Sequence, residues 1–213
     1  MKKIIEKYGL VNCTIVLICT IVLILNSIIV EKQALLEISD NVVVAYILNF
    51  LVGCQGLLGK FGSMSYENVF LNGQLWRCIT HIYLHAGAIH MVMNLAALLI
   101  AGKYIEKKYG SIWYLIFFHA IAIVDAIIVS LIFSGESVGA SAGIFAVIGV
   151  LVILLYEKQI SIKRLESIYL ITFFIVSLVL GVESLVVHLI ALAMGLLLGF
   201  FMENMATVWR NKV

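Results

Sequence analysis

Four polar side chains of this sequence could do acyl-transfer chemistry, and they stand where polar groups are rare. Ser141 lies in GASAGIF at the start of an apolar run, and His188 lies a few residues into another run. His90 and Asn94 are four residues apart at the start of a third run, so they share one helical face. A serine nucleophile needs a base within hydrogen-bond reach, and a tetrahedral intermediate needs donors for its oxyanion. A histidine, an asparagine amide and a second imidazole suit these needs, so the four residues are candidates for one site.

Each of these residues also has an ordinary structural explanation. Gly, Ala and Ser are common where membrane helices pack, and Asn and His often join such helices by hydrogen bonds. On the face of His188 follow Ala191, Gly195 and Gly199, a ladder of small residues that lets another backbone approach closely. GASAG also matches the nucleophile elbow G-x-S-x-G, but that motif needs a preceding strand and a soluble sheet, which this apolar context excludes. The GASAG motif alone therefore favours packing for Ser141.

The composition indicates an integral membrane protein. The chain has 213 residues, 63% of them hydrophobic and 12% charged, and its mean hydropathy is +1.14. Soluble domains are about 45–50% apolar and about 25% charged. The basic residues form separate short clusters without a continuous patch, so no nucleic-acid partner is expected.

Neither a metal nor another cofactor is expected from the sequence. His81 and His85 are four residues apart, but no third ligand follows at a recognisable spacing. The cysteines likewise have no spacing typical of zinc or redox motifs; they are Cys13, Cys19, Cys54 and Cys78.

Apolar runs predict six membrane-spanning helices in a single domain over residues 1–213. A span needs about 20 predominantly apolar residues. The runs are 10–30, 86–102, 112–133, 141–156, 168–182 and 184–202. The first run follows three lysines, but its length and the EKQALLE after it favour an uncleaved anchor over a signal peptide. A further run, 42–58, is apolar but contains Asn49 and Gln55.

The positions of lysine and arginine predict how these spans are oriented, because cytoplasmic loops carry an excess of both. With six spans, all the basic clusters fall on one side: Lys2, Lys3 and Lys7; Lys103, Lys107 and Lys108; Lys158, Lys163 and Arg164; Arg210 and Lys212. Both termini are then cytoplasmic, and 42–58 belongs to an outer, membrane-associated segment. The four candidate residues lie in the outer half of the membrane. A bacterial plasma membrane is the expected address, since the sequence has neither a transit peptide nor a soluble domain.

The order and spacing of these residues resemble the rhomboid family of intramembrane serine proteases. The resemblance runs through Trp76–Arg77, His85, His90-x-x-x-Asn94, Glu106 with Gly110, Gly139–Ala140–Ser141, and His188 with Gly195. It implies an all-α, six-helix bundle with a membrane-associated first outer loop. It also implies an enzyme that hydrolyses peptide bonds in or near the transmembrane segments of membrane protein substrates.

The resemblance implies a role for each matched residue. Ser141 would be the nucleophile and His188 the general base, later the general acid, in a dyad without an acidic third member. Asn94, His90 and the Ser141 backbone N–H would form the oxyanion hole. The remaining roles are supporting: Phe145 against the histidine ring, His85 beside the site, Trp76 and Arg77 in the outer loop, and Glu106 as a structural brace. Glu183 would be a poor third member, since it points about 140° away from His188 around the helix.

Three positions depart from the family pattern, which places smaller residues there: Ala142 after the serine, Val187 before the histidine and Ala191 after it. An extra methyl group in a tight helix contact typically costs about 1–3 kcal/mol. We expect these residues where the fourth and sixth spans approach most closely, so that the Ser141–His188 distance is the sensitive quantity. A catalytically impaired rhomboid-like protein that binds transmembrane helices is therefore the alternative function.

Two ionisable residues of the third span lie outside the matched set. His119 and Asp125 are six residues apart and do not share a helical face. We expect Asp125 to be protonated or paired within the bundle. A proton-coupled carrier would use such residues, but it predicts internal repeats or broken helices, and the sequence indicates neither.

Overall fold

The chain folds almost entirely into helices. The computed structural model describes residues 2–30, 32–53, 56–179 and 181–210. Eleven α-helices occur in this part: α1 Lys2–Tyr8, α2 Leu10–Ile28, α3 Lys32–Ile38, α4 Val42–Leu48, α5 Leu57–Gly62, α6 Arg77–Tyr83, α7 Ala88–Tyr109, α8 Ser111–Ile132, α9 Ser141–Tyr156, α10 Arg164–Leu178 and α11 Val182–Arg210. Two π-helical turns, Asn49–Gly53 and Glu67–Leu71, lie in the segment between α2 and α7. Cys54, Gln55 and Lys212 lie outside the described residues.

Four of the described helices are long and apolar enough to cross a membrane: α2, α7, α8 and the Val182–Met205 part of α11. The helix α9 has 16 residues and α10 has 15, both below the usual length of a span, about 20. The predicted all-helical membrane fold is confirmed. The count of six spans stays a prediction.

The short helix α9 is the centre of the bundle. It packs against α7, α8 and α11, and all but a few of its residues are buried. Such all-round burial explains why its sequence is apolar on every face.

The main chains of α9 and α11 touch at two glycines. A Cβ on Gly149 would lie 2.6 Å from the Leu192 carbonyl oxygen, and a Cβ on Gly195 would overlap the backbone of Ala146. This crossing lies one to two helical turns beyond Ala142 and Ala191, which are themselves buried without a break in either helix. The closest approach of α9 and α11 is therefore at Gly149 and Gly195, and not at Ala142 and Ala191.

Several helix boundaries differ from the apolar runs, and at the end of α7 charged side chains find partners across the bundle. The helix α7 continues to Tyr109 instead of ending near residue 102. Lys103 in its extension pairs with Glu166 of α10 at 2.5 Å, and Lys108 lies 3.5 Å from Glu203 of α11. The helix α10 starts and ends four residues earlier than the run 168–182, α11 starts two residues earlier than 184, and the run 42–58 divides into shorter helical pieces.

Glu106 joins the start of the first long helix to the end of the second. Its side chain is 5% exposed and accepts hydrogen bonds from the backbone N–H groups of Val11 (2.9 Å) and Asn12 (3.1 Å). The Ser111 hydroxyl donates to the same carboxylate at 2.6 Å. The first N–H groups of a helix lack partners within the helix, and Gly9 at the N-cap has no side chain to supply one. Glu106 therefore caps α2 from a different helix.

Replacing Glu106 by alanine is expected to lower the free energy of unfolding by about 2–4 kcal/mol, because a buried donor left without a partner costs about 1–3 kcal/mol. Glu106→Gln keeps one acceptor oxygen and should lose less. The measurement is thermal unfolding in detergent, with the exposed Glu157→Ala as control. Equal unfolding temperatures for Glu106→Ala and the control would contradict this role.

Candidate active site

A cavity of about 460 Å³ lies where the N-terminal ends of α7, α9 and α11 come together. The four candidate residues all line it: His90, Asn94, Ser141 and His188. Most of the other lining side chains are apolar, for example Phe173 and Val187. Three helices thus bring the predicted set into one cavity.

His188 is held by contacts on two sides of its ring. It is buried, and its ring stacks on Phe145 with a centroid distance of 4.2 Å and an interplanar angle of 10°. Its Nδ1 lies 3.3 Å from the backbone carbonyl oxygen of Ser177, near the end of α10. Because a carbonyl can only accept, Nδ1 carries the proton and Nε2 holds the lone pair. This is the tautomer that a general base requires.

Ser141 is the first residue of α9, where backbone N–H groups have no partner within the helix. The side chain is half-buried. Among the described residues, neither its backbone N–H nor its hydroxyl forms a hydrogen bond, so Ser141 and His188 are not bonded to each other in this state. Catalytic hydrogen bonds are often long without substrate and shorten when it binds.

Asn94 and His90 line the cavity from one face of α7. Asn94 is only 1% exposed, yet neither atom of its amide has a partner among the described residues. Buried amides nearly always form hydrogen bonds, so an unpaired one in a cavity indicates a guest with hydrogen-bonding groups.

The segment before Ser141 is shaped around His90. Gly139 has a φ of +124°, which disfavours any side chain, and a Cβ there would lie 3.2 Å from Cε1 of His90. The Gly139 N–H donates to the His81 carbonyl at 2.8 Å. A glycine at this position therefore lets the imidazole of His90 and the backbone before Ser141 approach each other.

His85 lies directly behind His90. The two rings meet edge to face with centroids 5.3 Å apart, and His85 is 2% exposed. Burial, with a smaller contribution from His90, lowers the pKa of His85 to about 3, so the ring is neutral near pH 7. Its position fits a supporting residue.

Trp76 and Arg77 organise the segment before α7 and do not line the cavity. The Arg77 guanidinium donates to the carbonyls of Ser63 (2.6 Å) and Lys60 (2.7 Å). The Trp76 indole N–H donates to the Phe61 carbonyl at 3.1 Å. The two residues therefore act on the shape of this segment.

His119 and Asp125 also lie away from the cavity. The Tyr83 hydroxyl is 2.6 Å from Nε2 of His119, whose Nδ1 contacts the Leu115 carbonyl at 2.8 Å. Asp125 is 1% exposed, and its carboxyl oxygens have no hydrogen-bond partner among the described residues. Of the two states expected for Asp125, protonated or paired, pairing is not found among the described residues.

Sequence reasoning did not predict the contact of Ser177, nor that Glu136 and Glu183 line the cavity, although it considered Glu183 as a third member beside His188. Ser177 contributes a backbone carbonyl, for which no sequence signal exists. The two glutamates were detectable only as charges beside turns.

The fold and the cavity define a class: a helical membrane protein in which a serine, two histidines and an asparagine share one cavity. The Rhomboid domain matches residues 72–205, a range that contains every candidate site residue. The chain is 30% identical over 162 residues to "RHOMBOID-like protein 6, mitochondrial" of Arabidopsis thaliana, covering 72% of this chain and 52% of the relative. The chain belongs to the rhomboid family.

Other relatives differ in what their names say about activity. The chain is 32% identical over 125 residues to "Rhomboid protease GluP" of Bacillus subtilis, covering 58% of this chain and 24% of the relative. It is 27% identical over 93 residues to "Inactive RHOMBOID-like protein 8" of Arabidopsis thaliana, covering 43% and 26%. The chain thus spans about half the length of these three relatives, or less.

Proposed function

We propose that this protein is an intramembrane serine protease that hydrolyses peptide bonds in or near transmembrane segments of membrane protein substrates. One observation carries most of the proposal. The Nδ1–H of His188 is bonded to the Ser177 carbonyl, so its Nε2 can accept a proton within the cavity that also contains Ser141.

The proposed reaction has two halves. Ser141 Oγ attacks the scissile carbonyl carbon while its proton passes to His188 Nε2. The imidazolium then gives this proton to the leaving amine, which leaves an ester on Ser141. In the second half, His188 takes a proton from water, the hydroxide attacks the ester, and Ser141 regains its proton as the acid product leaves.

The oxyanion of each tetrahedral intermediate would be bound by three groups. They are the Nδ2–H of the buried Asn94, the imidazole of His90, and the backbone N–H of Ser141 at the positive end of α9. The unpaired amide of Asn94 supports this role, since the amide has no competing partner among the described residues.

The proposal includes six spans, namely α2 and α7 to α11, with both termini in the cytoplasm. The basic clusters of the sequence support this orientation, which places the cavity in the outer half of the membrane. Because α9 is surrounded by other helices, its apolar length need not match that of a helix facing lipid. The pairing of Lys103 with Glu166 at the start of α10 supports a water-exposed end there. A bacterial plasma membrane is part of this proposal.

A helix-binding rhomboid-like protein is the competing function. The Ser141 hydroxyl, which forms no hydrogen bond among the described residues, and the inactive relative favour it. Retention of the serine, both cavity histidines and the asparagine favours the protease.

Labelling by a fluorophosphonate together with cleavage of a model transmembrane substrate in proteoliposomes tests the proposal. Wild type should be labelled and should cleave, whereas Ser141→Ala should do neither. Ser27→Ala is the matched control, because Ser27 is a buried serine of α2 bonded to its own helix. Labelling that persists in Ser141→Ala, or a folded wild type that neither labels nor cleaves, would favour helix binding.

A further inference from the structure

Two carboxylates lie at the mouth of the cavity that contains Ser141 and His188. Glu136 belongs to the connection between α8 and α9, and Glu183 lies in the first turn of α11. Both line the cavity and both are exposed. We call this pair the acidic rim.

Hydrogen bonds anchor the Glu136 side of the acidic rim. Glu136 accepts a hydrogen bond from the Ser63 hydroxyl at 2.8 Å. The adjacent Ser137 exchanges backbone hydrogen bonds with Met64 at 3.0 and 2.7 Å. Glu183 reaches the same connection, because a Cβ on Gly135 would lie 3.0 Å from its Oε2. The two carboxylates therefore flank one short, anchored stretch of backbone.

Among the described residues one cation lies near the acidic rim: the Arg77 guanidinium is 3.5 Å from the Ser63 hydroxyl that donates to Glu136, whereas no such contact reaches Glu183. Within the described residues, neither glutamate forms an ion pair with lysine or arginine, and no lysine or arginine lines the cavity. Two like charges beside a largely apolar cavity create a field that attracts a cation.

A separate observation indicates that the cavity accepts a guest with hydrogen-bonding groups. Asn94 is 1% exposed and lines the cavity, and its amide has no partner among the described residues. A peptide backbone seated at Asn94 and Ser141 would carry its flanking side chains past the acidic rim.

We propose that the acidic rim selects substrates with a lysine or arginine on the outer side of the cleaved bond. This inference rests on the proposed protease function and on the proposed orientation. Basic residues are scarce on the outer flank of transmembrane segments. A lysine or arginine on the outer flank of a transmembrane segment therefore distinguishes a few membrane proteins from most others.

The geometry limits where the basic residue lies. Glu183 precedes His188 by five residues on one helix, which is about 7.5 Å along the axis. Glu136 precedes Ser141 by five residues, so their Cα atoms are at most about 18 Å apart. An extended peptide covers these distances in about two to five residues. The basic residue should lie within that window.

The test uses model transmembrane substrates that differ only at a residue about three positions outward from the cleaved bond, within this window. That residue is lysine, glutamine or glutamate. In proteoliposomes, wild type should cleave the lysine substrate with a kcat/KM about tenfold above that of the glutamate substrate, with glutamine between them. The ratio should fall as salt is raised, because exposed charges are screened.

The Glu136→Gln/Glu183→Gln double variant should lose this preference and still cleave the glutamine substrate. Glu67→Gln is the matched control, since Glu67 is an exposed glutamate that does not line the cavity. Fluorophosphonate labelling of Ser141 reports whether each variant keeps a folded site.

Equal cleavage of the three substrates by wild type would overturn the inference and leave the protease function intact. A preference for the lysine substrate that survives the double substitution would have the same consequence. Absence of both cleavage and labelling in wild type would overturn the protease function, and the inference with it. The salt series on wild type needs no variant, so the inference is testable even if the double variant does not fold.

Discussion

Replacing His188 by alanine is expected to lower kcat for substrate cleavage by about six orders of magnitude, the loss found when the base of a serine hydrolase is removed. The imidazole is the only base hydrogen-bonded in the required tautomer among the described cavity residues, with Nδ1 donating to the Ser177 carbonyl. Labelling of Ser141 by a fluorophosphonate should be lost as well, because the hydroxyl would no longer be activated. Single-turnover cleavage in proteoliposomes gives the rate.

Two further variants separate lost chemistry from lost structure. His188→Phe keeps an aromatic ring against Phe145 and removes the base, so it should fold like wild type and fail to cleave. His119→Ala removes a histidine that contacts Tyr83 and does not line the cavity, so its kcat should stay within a few-fold of wild type. Substantial cleavage by folded His188→Phe would remove His188 from the mechanism.

Gly195→Val is expected to lower the free energy of unfolding by about 3 kcal/mol or more, at or above the upper end for overpacked cores. The three atoms nearest to a Cβ on Gly195 all belong to the Ala146 residue, and they are Cα, carbonyl carbon and carbonyl oxygen. No side chain can turn away to make room, so α9 and α11 must separate. Cleavage should be lost together with stability, because the two helices carry Ser141 and His188.

Ala193→Val is the matched control for this prediction. Ala193 is exposed on the same helix, so its larger side chain meets no main chain of the bundle. Chemical unfolding in detergent should give a midpoint close to wild type for this control and a clearly lower one for Gly195→Val. A Gly195→Val variant as stable as the control would show that the two backbones do not meet there.

The four candidate residues that share the cavity could be picked out from the sequence because each is polar in an otherwise apolar run. Ser141, His188 and the His90–Asn94 pair stand out for that reason, and their spacing along three helices brings them into one cavity. The all-helical membrane fold follows from composition in the same way. The stacking of Phe145 on His188 was expected only from the resemblance to the family.

Other features depend on partners that are distant in the chain. The apolar run 86–102 predicts a helix that ends before Lys103, because the sequence alone does not reveal that Glu166 pairs with this lysine. Glu106, which caps α2, is separated from Val11 by 95 positions in the sequence and from Asn12 by 94. The Ser177 carbonyl and the acidic rim likewise come from segments whose proximity is set by tertiary packing.

The crossing of α9 and α11 makes the two helices resemble the arms of tweezers. Gly149 and Gly195 are the pivot, since main chain rests on main chain there. Ser141 lies eight residues from Gly149 and His188 seven from Gly195, so each arm is about 10–12 Å long. A change of about 5° in the crossing angle would then move the serine by about 1 Å relative to the histidine. A displacement of about 1 Å between catalytic groups can cost about 100-fold in rate. For the proposed protease, the contact at Gly149 and Gly195 therefore sets how closely Ser141 and His188 approach each other.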